Sequence, residues 1–146
     1  MATVTFTVTR RFPFPAMTVW EALVDWTDHG RWIPATRVRI LEGDGGVGTR
    51  FVARSGFGPL AFDDTMTVVE CDPHAFTARV EKTGPLLRGD AGFALTPAAH
   101  ACELTWFEQV RVPYLPQLFA PAVARVAAVA FIFSLQRLEL HLRRRA

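Results

Sequence analysis

Two carboxylates stand on strand faces that are otherwise apolar. The strand period of two places Phe62, Asp64, Met66 and Val68 on one face, and Leu104, Trp106, Glu108 and Val110 on another. If those faces turn inward, Asp64 and Glu108 project into an apolar space. Burial raises the pKa of a carboxyl, so such a pair could take up and return protons near neutral pH, as general acid and base. Burial is also costly unless a partner is present. Arg54, which alternates with Val52 and Arg50, and Arg79 are the cations considered for that part, because strand register cannot be read from sequence. The structural alternative puts both acids at strand ends, paired and only holding the fold.

The side chains around these acids suit a ligand wall. Trp32, Phe51, Phe62, Met66, Trp106 and Phe131 are the candidate ligand-binding residues, since pockets are typically apolar with a few polar groups. Any one of them serves equally well as plain core. As a group they are many: the 146 residues include 12 Phe and 4 Trp, but one Tyr.

Other chemistries fit less well. Gly43, Gly45 and Gly48 match the spacing G-x-G-x-x-G, but a dinucleotide site needs a helix immediately after the glycines, and Thr49–Arg54 reads as a strand. A glycine-rich hairpin explains them better. Asp25, Asp28 and His29 lie together near a helix break, where an acid-base or metal role is the alternative to the acids' expected role as caps. The four histidines are dispersed and the two cysteines are 31 residues apart, so no spacing suits zinc. Ser55 and Ser134 are the only serines and neither sits in a nucleophile elbow. No metal and no cofactor is expected.

Length and charge bound the remaining choices. A chain of this size makes one ordinary domain with a real core. Its apolar fraction of 50% excludes disorder. Residues 1–111 carry 11 basic and 13 acidic groups, whereas residues 112–146 carry 5 and 1, so the net +2 is C-terminal. That excess suits a solvated helix end beside its dipole and is too small for a nucleic-acid face. The stretch 118–135 is the one membrane suspect. Pro121 and Arg125 interrupt it, which favours a soluble helix buried on most sides over an integral span. The alternating N-terminus lacks a signal-peptide core, and two free thiols agree with a cytoplasmic location.

These residues must be held by a definite set of elements. Residues 3–12 alternate as a strand and Pro13 and Pro15 end it. Residues 16–24 have helical spacing, and a second short helix ends near Trp32. From Arg37 to Val112, turn signals recur every 10–12 residues, which predicts a meander of about six antiparallel strands. A long helix follows, from about Gln117 to Arg143. Val123, Ala127, Phe131, Ser134 and Leu138 fall on its inner face, opposite Arg125, Ile132, Gln136, Glu139 and Arg143. The fold class is therefore α+β: a curved antiparallel sheet of about seven strands wrapped around the C-terminal helix, with two short helices after the first strand.

That order, with Val19-Trp20-Glu21-Ala22-Leu23, Asp25–Trp32, Gly46-Val47-Gly48, Phe62-Asp63-Asp64, Glu70-Cys71-Asp72-Pro73, Thr83-Gly84 and Thr105-Trp106 with Glu108, resembles the START-like or SRPBCC superfamily of helix-grip proteins. It is most similar to the polyketide cyclase/dehydrase branch. The resemblance covers nearly the whole chain, and its motifs mark fold rather than catalysis. It implies a single START-like domain over residues 1–146, with a deep apolar cavity between sheet and last helix. Relatives bind lipids or hormones, cyclise polyketides or act as regulators, so fold does not choose among them. Binding of a small hydrophobic molecule is the favoured expectation. The alternatives are a cofactor-independent cyclase or dehydratase using Asp64 and Glu108, and an interaction module. Val129 and Ile132 near the outer helix face leave a homodimer open.

Overall fold

A computed structural model describes residues 2–145. Strand β1 (Ala2–Phe12) is followed by helix α1 (Ala16–Val24) and a 3₁₀ segment (Trp26–Arg31). Then come β2 (Thr36–Glu42), β3 (Arg50–Ser55), β4 (Phe62–Asp72), β5 (Thr77–Thr83), β6 (Arg88–Ala98) and β7 (Ala101–Val112). Helix α2 (Ala120–Arg145) closes the chain, preceded by a short 3₁₀ turn (Gln117–Phe119).

All seven strands form one antiparallel sheet in the order β1-β7-β6-β5-β4-β3-β2. Strands β2 to β7 follow the meander read from the turn signals. The first strand joins the far edge and pairs along its whole length with β7, from Ala2 opposite Val112 to Phe12 opposite Cys102. The sheet presents one face to α1, the 3₁₀ segment and α2, and most of their apolar side chains merge into one core, with a smaller cluster of Ala2, Val4, Val110 and Ala120 at the start of α2. This is the helix-grip arrangement.

The inner face of α2 is the expected one. Phe131, Ser134, Leu135, Leu138 and Leu142 are buried, and Val123 and Ala127 are half-buried. Pro121 lies in the first turn, where a missing N–H breaks no helical bond. The expectation that the helix is buried on most sides is corrected. Val126 and Val129 are 71% and 67% exposed, and Leu118, Phe119, Ile132, Phe133 and Leu140 also face outward. The helix has a single sheet to pack on, so only one stripe can be covered. By length and composition alone, Gln117–Arg145 could cross a membrane.

The glycine-rich segment joins β2 to β3 as a hairpin, and the strand β3 that follows leaves no helix N-terminus for a phosphate. Gly43 has φ +106°, and a Cβ there would lie 2.6 Å from the Cα of Thr49. Thr49 is fully buried, and its Oγ1 accepts the Gly45 N–H at 2.8 Å. The Gly45 carbonyl in turn accepts the Trp26 indole N–H at 2.8 Å. The loop therefore anchors the 3₁₀ segment against the sheet.

Candidate functional site

The inner faces of β4, β5 and β7 supply a buried charge cluster. Along β5, Ala78, Val80 and Lys82 alternate inward. The β4–β5 register sets Lys82 opposite Met66, so its side chain reaches diagonally to Asp64, two residues earlier on the same face. The Lys82 Nζ donates to Asp64 Oδ2 at 2.6 Å and lies 3.9 Å from Glu108 Oε2. Strand β6 runs between β5 and β7, and its Ala91 is paired with both Val80 and Glu108. That small side chain leaves room for lysine and glutamate to approach over the strand. The Trp106 indole donates to Glu108 Oε1 at 3.3 Å.

The cation is therefore Lys82, and the expected arginines are corrected. Opposite Asp64 on β3 stands Ala53, while Arg54 faces Asp63 on the other side of the sheet and binds it at 3.0 Å. Arg79 binds Asp90 at 2.8 Å and lies 3.9 Å from Glu70. Burial alone would lower the pKa of Lys82. The Glu108 and Asp64 charges, with the hydrogen bond to Asp64, outweigh it and hold the group above its ordinary value. The ammonium is thus charged at neutral pH and is not a free amine nucleophile. Asp64 Oδ1 is buried without a hydrogen-bond donor.

This cluster sits on the wall of a cavity of about 180 Å³. Its apolar lining includes Trp26, Ile33, Val38, Phe51, Met66, Val80, Trp106 and Phe131, and its polar lining comprises His29, Thr36, Ser55, Asp64, Lys82 and Glu108. Both sequence-selected acids thus border one space, along with Phe51, Met66, Trp106 and Phe131. Trp32 is not on the wall. It is fully buried behind it, edge-on to Trp106 and Phe131 at 6.4 and 6.2 Å between ring centroids. Phe62 is also off the wall, half-buried at the first position of β4 opposite Ser55.

Among the lining residues that the sequence reasoning missed are Trp26, His29 and Lys82. A signal for Lys82 existed, because it is the only lysine beside 15 arginines and it alternates with Ala78 and Val80. The caps expected of Asp25 and Asp28, beside His29, are corrected by the structure. Asp25 precedes the 3₁₀ segment, but its carboxylate accepts from the Thr27 hydroxyl rather than a backbone N–H. Asp28 is buried and bound to Arg31 at 3.2 Å and His141 at 3.1 Å, which ties the segment to α2. The short 3₁₀ turn points these side chains sideways, to partners that sequence spacing does not show.

His29 is buried among Trp26, Trp32 and Trp106. Its Nε2 lies 2.6 Å from the Leu23 carbonyl, so Nε2 carries the proton and Nδ1 keeps a lone pair. Burial pulls its pKa below 6.5, against the opposing effects of the Leu23 bond and of Asp28 and Asp25. The folded value is therefore depressed, and the unfolded chain takes up this proton first. The contribution to stability is complete above the unfolded value and lost as pH falls through the folded one. The melting temperature should fall between about pH 7.5 and pH 5.5, and His29→Gln should flatten that slope. An equal slope in the variant, measured by thermal circular dichroism, would assign the effect to other groups.

Cys71 and Cys102 are free thiols, and burial pushes both above the ordinary thiol pKa, which makes them poor nucleophiles.

Comparison with known proteins gives this geometry a family. None of the curated proteins matches the chain. Solved structures match it over almost its full length. A START superfamily protein from Mycobacterium smegmatis has a TM-score of 0.81 at 14% identity, covering 97% of this chain and 99% of its own. A protein from Thermus thermophilus has a TM-score of 0.82 at 13% identity, with the same coverage. The ZhuI aromatase/cyclase from Streptomyces sp. R1128 has a TM-score of 0.77 at 18% identity, covering 98% and 95%. At these identities the likeness is one of fold. The model of the family described as polyketide cyclase / dehydrase and lipid transport matches residues 3–143, and the chain belongs to that family, on a START-like helix-grip fold.

Proposed function

We propose that residues 1–146 act as one START-like ligand-binding domain that holds a small hydrophobic molecule, polyketide-, lipid- or aromatic-like, between the sheet and α2. The observation that carries this is the cavity of about 180 Å³ walled by Trp26, Phe51, Trp106 and Phe131, with a few clustered polar groups. An engineered apolar cavity of about 150 Å³ takes up benzene. The space here is of similar size and therefore suits one or two rings. The protein is placed in the cytoplasm in this proposal.

Catalysis is the alternative, favoured by one observation: Asp64, Glu108 and the charged Lys82 border the same space. An ammonium there could polarise a carbonyl, and a neighbouring carboxylate could move a proton from the adjacent carbon, as in a cofactor-independent cyclase or dehydratase. The outward stripe of α2 supports self-association as a separate property.

Native mass spectrometry of freshly purified protein is expected to show a co-purified hydrophobic small molecule. The same spectrum reports monomer or dimer. Spectra of the bare chain, with no uptake of added aromatic compounds, would count against ligand binding. Turnover of an identified ligand that survives Asp64→Asn with Glu108→Gln would remove Asp64 and Glu108 as its acid and base.

A further inference from the structure

The charge inside the cavity is unbalanced. Two carboxylates, Asp64 and Glu108, face a single cation, Lys82, and His29 is the only other titratable side chain on the wall. His29 already gives its Nε2 proton to the Leu23 carbonyl, and burial keeps it neutral at pH 7. By formal charge the wall thus holds one positive and two negative groups.

The acceptors are also in excess. Lys82 satisfies Asp64 Oδ2, and the Trp106 indole satisfies Glu108 Oε1. Asp64 Oδ1 has no donor, although the Asp64 side chain is only 9% exposed. Glu108 Oε2 lies 3.9 Å from the Lys82 Nζ, beyond hydrogen-bond distance, on a side chain that is 18% exposed. A buried carboxylate oxygen without a donor is expensive to maintain. The rest of the wall is largely apolar, with the rings of Trp26, Phe51, Trp106 and Phe131 among its lining.

We infer that the cavity selects a protonated amine carried on a small aromatic or aliphatic body, with its N–H groups directed to Asp64 and Glu108. Such a ligand supplies the missing donors and cancels the residual charge. A hydroxyl supplies a donor without cancelling the charge. A carboxylate adds a third negative group to a desolvated site and is disfavoured. This rests on the proposal that the cavity takes up small apolar molecules.

The test uses four compounds with one body and different ends: 2-phenylethylammonium, 2-phenylethanol, propylbenzene and 3-phenylpropionate. Binding is followed at pH 7 by tryptophan fluorescence and by the NMR shifts of the indole N–H groups, of which Trp106 borders the acids. The ammonium should bind about tenfold or more tightly than propylbenzene, in keeping with hydrogen bonds to a charged group. The alcohol should fall between them, and 3-phenylpropionate should bind weakest. In Glu108→Gln, which leaves the Lys82–Asp64 pair intact, the advantage of ammonium over alcohol should shrink. Propylbenzene, the alcohol or 3-phenylpropionate binding as tightly as the ammonium would overturn the inference and leave apolar uptake standing. Failure of all four to bind would overturn both.

Discussion

Lys82→Met is expected to destabilise the fold by about 3–5 kcal/mol, the range for removing one partner of a buried ion pair. The methionine stem fills much of the same space between Met66 and Val80, so the loss is mainly electrostatic. Asp64 and Glu108 are left on an apolar wall without their cation, and Asp64 Oδ2 loses its 2.6 Å donor. Against a total stability of about 5–15 kcal/mol, this is a large fraction. The deficit should narrow as pH falls, because the stranded carboxyls then take up protons and lose their charge. Adding Asp64→Leu to Lys82→Met should recover much of the loss, since an apolar replacement of the whole pair removes the charges together. Urea denaturation followed by tryptophan fluorescence measures all three proteins. A cost below about 1 kcal/mol for the single variant would show that solvent reaches the acids readily.

Trp32 should show the next largest effect, with a marked dependence on the replacement. Trp32→Ala is expected to cost about 3–5 kcal/mol. The ring is fully buried and meets His29, Trp106 and Phe131, with centroids 5.0, 6.4 and 6.2 Å away. Its loss opens a void directly behind the ligand wall. Trp32→Phe is expected to cost under about 1.5 kcal/mol. The Trp32 indole N–H is buried with no acceptor, so phenylalanine removes an unsatisfied donor along with the lost ring area. The Arg137 side chain binds the Trp32 backbone carbonyl at 3.1 Å and does not depend on the ring. Similar costs for both variants would mean that the indole N–H contributes to the fold after all.

The elements were legible because their signals are local. Prolines 13 and 15 end β1, helical spacing sets α1 at residues 16–24, and recurring turns separate β2 to β7. The two acids were legible as well, because the period of two shows which strand residues share a face. Their cation was not. Lys82 is 18 residues from Asp64 and 26 from Glu108, and only the register of β4, β5, β6 and β7 brings the three together. Arg54 sits one residue out of phase with Ala53, which is enough to send it to the opposite face. The burial of α2 was misjudged for another reason. Its first half is apolar outside as well as inside, with Val126, Val129, Ile132 and Phe133 exposed, so hydrophobicity cannot report there that only one stripe meets the sheet. Trp26 and His29 were missed because a 3₁₀ turn directs side chains on a period that neither helix nor strand spacing reveals.

The position of β1 has a consequence for how the chain assembles. Each of β2 to β7 pairs with a sequence neighbour, so that part of the sheet can zip up hairpin by hairpin as the chain lengthens. The pairing of Ala2 with Val112 must wait until β7 has been made. Val4, Val8 and Phe12 precede every other strand yet meet their partner only after β2 to β6 have formed, a long-range closure that slows folding. One edge of the sheet thus stays open until its two most distant strands meet.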